Sequence, residues 1–388
     1  MAENKKIKIV MFNMSSYCEW ERDVQNRNWH ILRHLLQTEE VEKIIAVDYP
    51  PRTFKRAIKT LWQQLGVYRG KTKIFKSLFS SAFTIDEKLV VYSSLWPYFS
   101  QKRFYQQLNE LLAELDFDDY LLWSYYPLEI GYFNRLKPAL KIFDAVDNWA
   151  LHPSYRRVAA KLKDNYKLID EQADVIFTVA EELKSLFAHQ EKVHFLPNGV
   201  ELKHYQKEYN IINRDIGDLP QPIIGYLGVI QDRLDLALLE YLAQNNPEKT
   251  FVLAGPVWYK SIEARFKKYA NVHFLGRKSY DEAPMYLRQF AVGLVPHKID
   301  NFIKTTNPMK IYEYLACGKP VVSTQSSGLA DLDKFVYSAN SYEEFNQQLN
   351  LALTEDKPKL KELRLAAVSE HSWLKRIKQM LAIVYQKI

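Results

Sequence analysis

Residues 306–322 read Thr-Asn-Pro-Met-Lys-Ile-Tyr-Glu-Tyr-Leu-Ala-Cys-Gly-Lys-Pro-Val-Val. These types at this spacing suit the capture of an anion at the start of a helix. Asn307 is a favourable N-cap and Pro308 suits the first helical position. The free N–H groups and the dipole at that end attract negative charge. Lys310 falls in the first turn, where its ammonium can reach the same anion. Glu313 follows one turn on, on the face shared with Met309 and Lys310. A helix start that holds a diphosphate, with a carboxylate one turn away for a ribose diol, is a nucleotide-sugar site. Taken alone, Lys310 and Glu313 also read as an ordinary solvent-facing pair. Gly318 is placed to end the helix and Pro320 to open the next strand.

Other residues could join this chemistry. Gly225-Tyr-Leu-Gly228 follows a strand, and Gly228 would let the backbone approach the donor phosphates. It lacks the spacing of a dinucleotide fingerprint. Arg233, just beyond, either pairs with phosphate or a sugar carboxylate, or is a solvated arginine at a helix start. Phe143-Asp-Ala-Val-Asp-Asn148 places Asp144 and Asp147 near the carboxyl end of a strand. A carboxylate there can take the proton of an attacking hydroxyl, or can cap the next helix. Arg22, Arg27 and Trp29 follow the first strand and are expected to border an acceptor. Trp123, Tyr125 and Tyr126 end another strand and offer flat faces to a sugar, against the alternative of core packing. The D-x-D strings at Asp116–Asp118 and Asp331–Asp333 are too short to carry weight. His30 and His34 have zinc-like spacing but no third ligand, so no metal site is expected.

The elements that must position these residues are short apolar strands alternating with helical patterns. Strands are expected at Ile7–Phe12, Val41–Val47, Leu89–Tyr92, Tyr120–Trp123, Lys141–Ala145, Val175–Thr178 and Val193–Leu196. After the Leu196–Val200 turn, the polar stretch Lys203–Gln221 reads as a linker. Strands then resume at Ile223–Ile230, Thr250–Gly255, Val272–Leu275, Val292–Pro296 and Pro320–Ser323. Helices are expected at Asn28–Leu36, Leu234–Gln244, Pro308–Ala316 and Trp373–Lys387. Such alternation, restarting half-way, predicts two doubly wound α/β domains with parallel sheets and a cleft between them. Ligands in such sheets bind at the carboxyl ends of the strands.

The stretch Pro308–Val322 resembles the donor-binding helix of GT-B glycosyltransferases, in the branch with the pattern P-x-K-x-x-E-Y-x-A-x-G-K-P-V-V. The likeness extends along the chain, including the Leu196–Val200 turn. It is nearest to bacterial exopolysaccharide enzymes of the teichuronic-acid type and, more distantly, to the xanthan glucuronosyltransferase. The resemblance implies a GT-B fold of two Rossmann-like domains. The first, residues 1–205, would bind the acceptor and be joined by the terminal helix at 373–388. The second, residues 206–372, would bind the donor. It implies a UDP-sugar donor, with Met309 and Lys310 matching a pair that contacts uridine diphosphate in the xanthan-type family. Gly276–Asp281 resembles the loop that receives the nucleobase, with Tyr280 near the base or in the core. An aspartate base stands in a comparable position in that family, and Asp147 matches it better than Asp144. Many retaining relatives carry a glutamate eight positions before Glu313. Here that position is Thr305, which favours an inverting mechanism.

The 388-residue chain has a net charge of +7, which suits anionic partners. With the resemblance, that charge makes UDP-glucuronate the expected donor and a lipid-linked or cell-surface glycan the expected acceptor. No cofactor and no metal are expected, and no nucleic-acid motif appears. Two cysteines exclude a disulfide framework and suit a reducing compartment. The start reads as a buried strand and not as a signal peptide, and nothing is long enough to span a membrane, so a cytoplasmic enzyme is expected. Between Pro51 and Ile85 stand eight basic residues, no acidic one, and interleaved apolar side chains. That stretch reads either as a peripheral contact with an anionic membrane or as a solvated insertion. Two rivals remain: a nucleotide-sugar epimerase on the same fold, and a non-catalytic nucleotide-sugar or glycan-binding partner.

Overall fold

The computed structural model describes residues 6–48, 53, 55, 57–58, 62, 66–209, 213–324 and 329–388. It divides into two compact units. One comprises residues 1–178, 183–196 and 377–388, and the other residues 179–182 and 197–376. The terminal helix Trp373–Tyr385 therefore begins in the second unit and continues in the first.

Among the described residues, the first unit holds a sheet of nine strands. They are β1 (Ile7–Phe12), β2 (Val41–Val47), β3 (Thr72–Ser77), β4 (Ser80–Thr84), β5 (Leu89–Ser94), β6 (Tyr120–Ser124), β7 (Leu140–Ala145), β8 (Val175–Thr178) and β9 (Val193–Phe195). Their order is β3-β4-β5-β2-β1-β6-β7-β8-β9. From β5 to β9 every neighbouring pair is parallel, while β3, β4 and β5 pair antiparallel. A parallel sheet is covered on both faces, so its strands are apolar nearly throughout. In β6 every residue is buried. The chain order reverses between β1 and β6, which makes their carboxyl ends the natural ligand edge.

The second unit holds β10 (Ile223–Leu227), β11 (Thr250–Ala254), β12 (Val272–Gly276), β13 (Val292–Val295), β14 (Val321–Thr324) and β15 (Val336–Ala339). The order is β12-β11-β10-β13-β14-β15, all parallel, with the reversal between β10 and β13. Two apolar clusters cover its faces, one built around Ile311, Tyr314 and Leu315, the other around Leu238, Leu242 and Phe345. Two parallel-sheet α/β units are thus present, as the alternation of apolar runs predicts.

Two expectations change. The stretch Lys203–Gln221 is no free linker. It contains short helices at Leu202–Tyr205 and Arg214–Gly217, and Tyr205 and Ile216 are buried in the second unit's core. Its few apolar residues are too widely spaced to show a period, yet two of them are enough to anchor it. The later part of the basic 51–85 stretch is a β-hairpin on the sheet edge, in which Phe75 and Ala82 are buried. Arg52, Phe54, Arg56, Lys59, Leu61 and Leu65 lie outside the described residues.

Candidate active site

At the carboxyl end of β10, Gly228 has φ +147° and its N–H donates to Ala254 O at 2.8 Å. A Cβ at residue 228 would stand 2.2 Å from Lys310 Cε. Glycine is needed here for its backbone angle and for this close approach. Gly255, at the end of β11, has φ +148°, and a Cβ there would stand 1.9 Å from Gly228 O. The two glycines bring backbone, loop and Lys310 together beside the β10–β13 reversal.

The helix that carries Lys310 runs Met309–Ala316. The cap differs from expectation. Pro308 is the cap residue, with φ −69° and ψ 114°, and makes no side-chain cap hydrogen bond of its own. Asn307 is committed elsewhere. Its Oδ1 accepts from the Asn198 N–H at 2.9 Å, its carbonyl accepts from Asn198 Nδ2 at 2.7 Å, and its Nδ2 donates to the Tyr312 hydroxyl at 3.0 Å. Asn307 thus ties the 197–200 turn to the helix start, and the helix begins one residue later. The first-turn N–H groups keep their pull on an anion.

Lys310 is half-buried, with Nζ 5.4 Å from the centroid of the Tyr226 ring. Glu313, also half-buried, is hydrogen-bonded to the Tyr205 hydroxyl. Burial raises the Glu313 carboxyl above its ordinary range, against the opposing pull of Lys310 and Tyr205. Met309 is half-buried on the same helix. The Arg233 guanidinium lies 4.8 Å from the Phe302 ring centroid. Tyr280 has one face covered, because His204 stacks on it at 3.8 Å with 3° between the rings. Stacking on a base could use only its other face.

In the first unit the acceptor-side expectations are corrected. Trp123 is 0% exposed and Tyr125 1%. Both come from the central strand β6 and its end, and Trp123 packs against Phe177 at 5.6 Å. They are core residues and cannot stack on a sugar. Tyr126 is buried as well. Arg27 Nε donates to both oxygens of Asp144 at 3.0 Å, with the two residues 1% and 0% exposed. Burial pushes the Asp144 carboxyl up, and Arg27 pulls it down. Asp144 is therefore a buried ion-pair partner and not a base open to an acceptor, and Arg27 is its counter-charge and not a sugar ligand. Asp147, in the loop after β7, is half-buried, and its carbonyl accepts from the Tyr166 hydroxyl at 3.0 Å. Of the two aspartates it alone retains exposure.

The sequence reading passed over Asn198, Tyr205, Tyr226 and His297. Only the Leu-Pro-Asn-Gly-Val turn hinted at Asn198. Among the described residues no group of three or more His, Cys, Asp and Glu could hold a metal ion. Among the same residues no helix is long and apolar enough to cross a membrane.

Residues 221–355, which contain Gly228, Arg233, Tyr280, Asn307, Met309, Lys310 and Glu313, match the family described as "Glycosyl transferases group 1". The chain is also 25% identical over 339 residues, 82% of each chain, to TuaH of Bacillus subtilis, which carries the name of a teichuronic acid biosynthesis glycosyltransferase. The chain is a glycosyltransferase with a group 1 domain at residues 221–355. Solved structures agree with its fold. Anabaena Alr3699/HepE in complex with UDP and glucose superposes with a TM-score of 0.64 at 17% identity, covering 98% of this glycosyltransferase and 100% of that chain. Sucrose-phosphate synthase from Thermosynechococcus elongatus superposes with a TM-score of 0.69 at 15% identity, covering 98% and 99%. The fold is GT-B, and the donor-side candidates lie within the matched domain, while Asp147 lies outside it.

Proposed function

We propose that this glycosyltransferase uses a UDP-sugar bound at the start of the Met309–Ala316 helix. The observation that carries the reading is the packing of Lys310 against Gly228 at the β10–β13 reversal, where a parallel sheet offers its ligand crevice. Lys310 and the first turn of that helix neutralise the departing diphosphate, and electrostatic help of this kind needs no metal. Glu313 takes the ribose hydroxyls. HepE, solved in complex with UDP-glucose, supports a uridine nucleotide. The basic charge of +7 supports UDP-glucuronate within that class. The TuaH likeness supports a cell-surface or lipid-linked glycan as acceptor. Asp147 is the general base of an inverting transfer, with Thr305 standing where a retaining relative would carry glutamate.

The test is Asp147→Asn. It should cut turnover by about 10²–10⁴-fold, the usual contribution of a general base, while UDP affinity stays unchanged. Unchanged turnover would remove Asp147 from the mechanism.

A peripheral contact with an anionic bilayer is part of this proposal. Leu78 and Phe79 form the turn between β3 and β4, and Phe79 is held at φ +63°. Such an angle is uncommon for a bulky residue. The Phe79 ring stacks on Phe99 at 5.2 Å. Leu78, Phe79 and Phe99 are 62%, 44% and 53% exposed. Exposed Lys76, Lys102 and Arg103 accompany them. Apolar tips with a basic surround suit anionic headgroups better than a protein surface.

A further inference from the structure

His297 follows β13 through Pro296, on the β13 side of the β10–β13 reversal. The two strands pair Ile224 with Val292 and Gly225 with Gly293. The Asp235 N–H donates to Pro296 O at 2.8 Å, one residue before His297. Leu234 bridges His297 antiparallel, which brings Arg233 alongside. His297 thus lies where the backbone approach of Gly228, the ammonium of Lys310 and the guanidinium of Arg233 converge.

The residue is 7% exposed. Its Nδ1 is buried with no hydrogen-bond partner among the described residues, and Nε2 is the nitrogen left accessible. A buried donor without an acceptor is rarer than an under-used acceptor. The proton therefore sits on Nε2, pointing to the open edge. Burial, then the charges of Lys310 and Arg233, hold the imidazole down at about 3, so the ring is neutral at ordinary pH. A neutral donor beside two cations has no acceptor among the described residues to satisfy it, and an anion would.

We propose that His297 is a donor-site residue whose Nε2–H donates a hydrogen bond to a phosphate oxygen of the diphosphate held by Lys310. The proposal rests on the UDP-sugar reading above. It assigns His297 to the diphosphate and not to the base or the ribose. It also accounts for an imidazole kept beside two cations, where an apolar side chain of equal size would pack at lower electrostatic cost.

The experiment titrates UDP and uridine into the wild-type chain and the His297→Gln, His297→Asn, His297→Phe and Lys310→Ala variants by calorimetry. Gln carries its amide nitrogen about as far from the backbone as Nε2, and Asn about as far as Nδ1. His297→Phe and His297→Asn should weaken UDP about tenfold, the loss of one charge-assisted hydrogen bond, and leave uridine unchanged. His297→Gln should recover most of the affinity. A role in packing alone would give no such order and no preference for UDP over uridine. If wild type binds UDP and Lys310→Ala does not, yet all three His297 variants bind UDP as wild type does, this inference falls and the donor site stands. Equal loss of UDP and uridine in His297→Phe would also overturn it. If wild type binds no UDP, the donor reading itself fails, and His297 falls with it.

Discussion

Lys310 Cε occupies the space that a side chain on residue 228 would need, since a Cβ there would stand 2.2 Å away. The contact would give Gly228 a part in the proposed donor site through its lack of a side chain. Gly228→Ala should displace Lys310 and strain a residue at φ +147°. The expected result is at least tenfold weaker UDP binding, read by calorimetry on protein that still shows a cooperative melt. UDP affinity equal to wild type would show that the ammonium's position does not depend on this contact.

Arg27 and Asp144 form a buried pair, so removing one partner leaves the other uncompensated. Asp144→Ala should cost about 3–5 kcal/mol in urea unfolding. The double variant Arg27→Met with Asp144→Leu should regain most of that. A catalytic Asp144 would instead lose turnover with stability intact.

Asp48, at the end of β2, accepts from the Tyr17 N–H at 2.8 Å and from the Tyr68 hydroxyl at 3.1 Å. Burial outweighs these bonds and raises its carboxyl from 3.8 to about 6. The folded chain then holds a proton that the unfolded chain has lost between those two values. Its stabilising contribution is complete below pH 3.8 and fades as pH rises to about 6. Asp48→Asn, which mimics the protonated form, should gain on wild type across that window, by on the order of 2–3 kcal/mol at its upper end. Urea unfolding of both proteins at pH 4, 5, 6 and 7 checks this. A constant difference at all four values would contradict it.

The β3–β4 turn and Phe99 should hold the chain to anionic vesicles. Replacing Leu78, Phe79 and Phe99 together with serine should abolish co-sedimentation with vesicles rich in phosphatidylserine or phosphatidylglycerol. High salt should weaken wild-type binding, because the basic surround is screened. Equal binding to neutral vesicles, or none in wild type, would remove the membrane contact.

Much of this architecture was legible from periodicity. Ile7–Phe12, Val41–Val47 and Val175–Thr178 are strands with the expected bounds, because buried parallel strands are short and apolar throughout. The Met309–Ala316 helix was legible from one string. What the sequence could not say was which strands lie centrally. Trp123 and Tyr125 read as cleft residues because a strand end looks the same whether it meets solvent or neighbouring side chains. Arg27 and Asp144 are 117 positions apart, and no local pattern joins them. Asn307 has the chemistry of a cap, but Asn198 claims it, and that partner comes from 109 residues away. The β3–β4 hairpin was masked by its lysines, since alternating basic and apolar residues fit an edge strand as well as an interfacial helix. His297 was passed over because one histidine after a strand carries no signal until burial and neighbouring charges are known.

The proposed diphosphate site depends on Lys310 at a helix start. The most direct measurement is the melting temperature of wild-type and Lys310→Ala protein with UDP and a panel of UDP-sugars, with and without a divalent metal. A ligand that binds the folded state alone must raise it. Wild type should show a rise with UDP and with one UDP-sugar above the rest, the same in a chelator, and absent in Lys310→Ala. No rise in wild type with any uridine nucleotide, or an equal rise in Lys310→Ala, would contradict it.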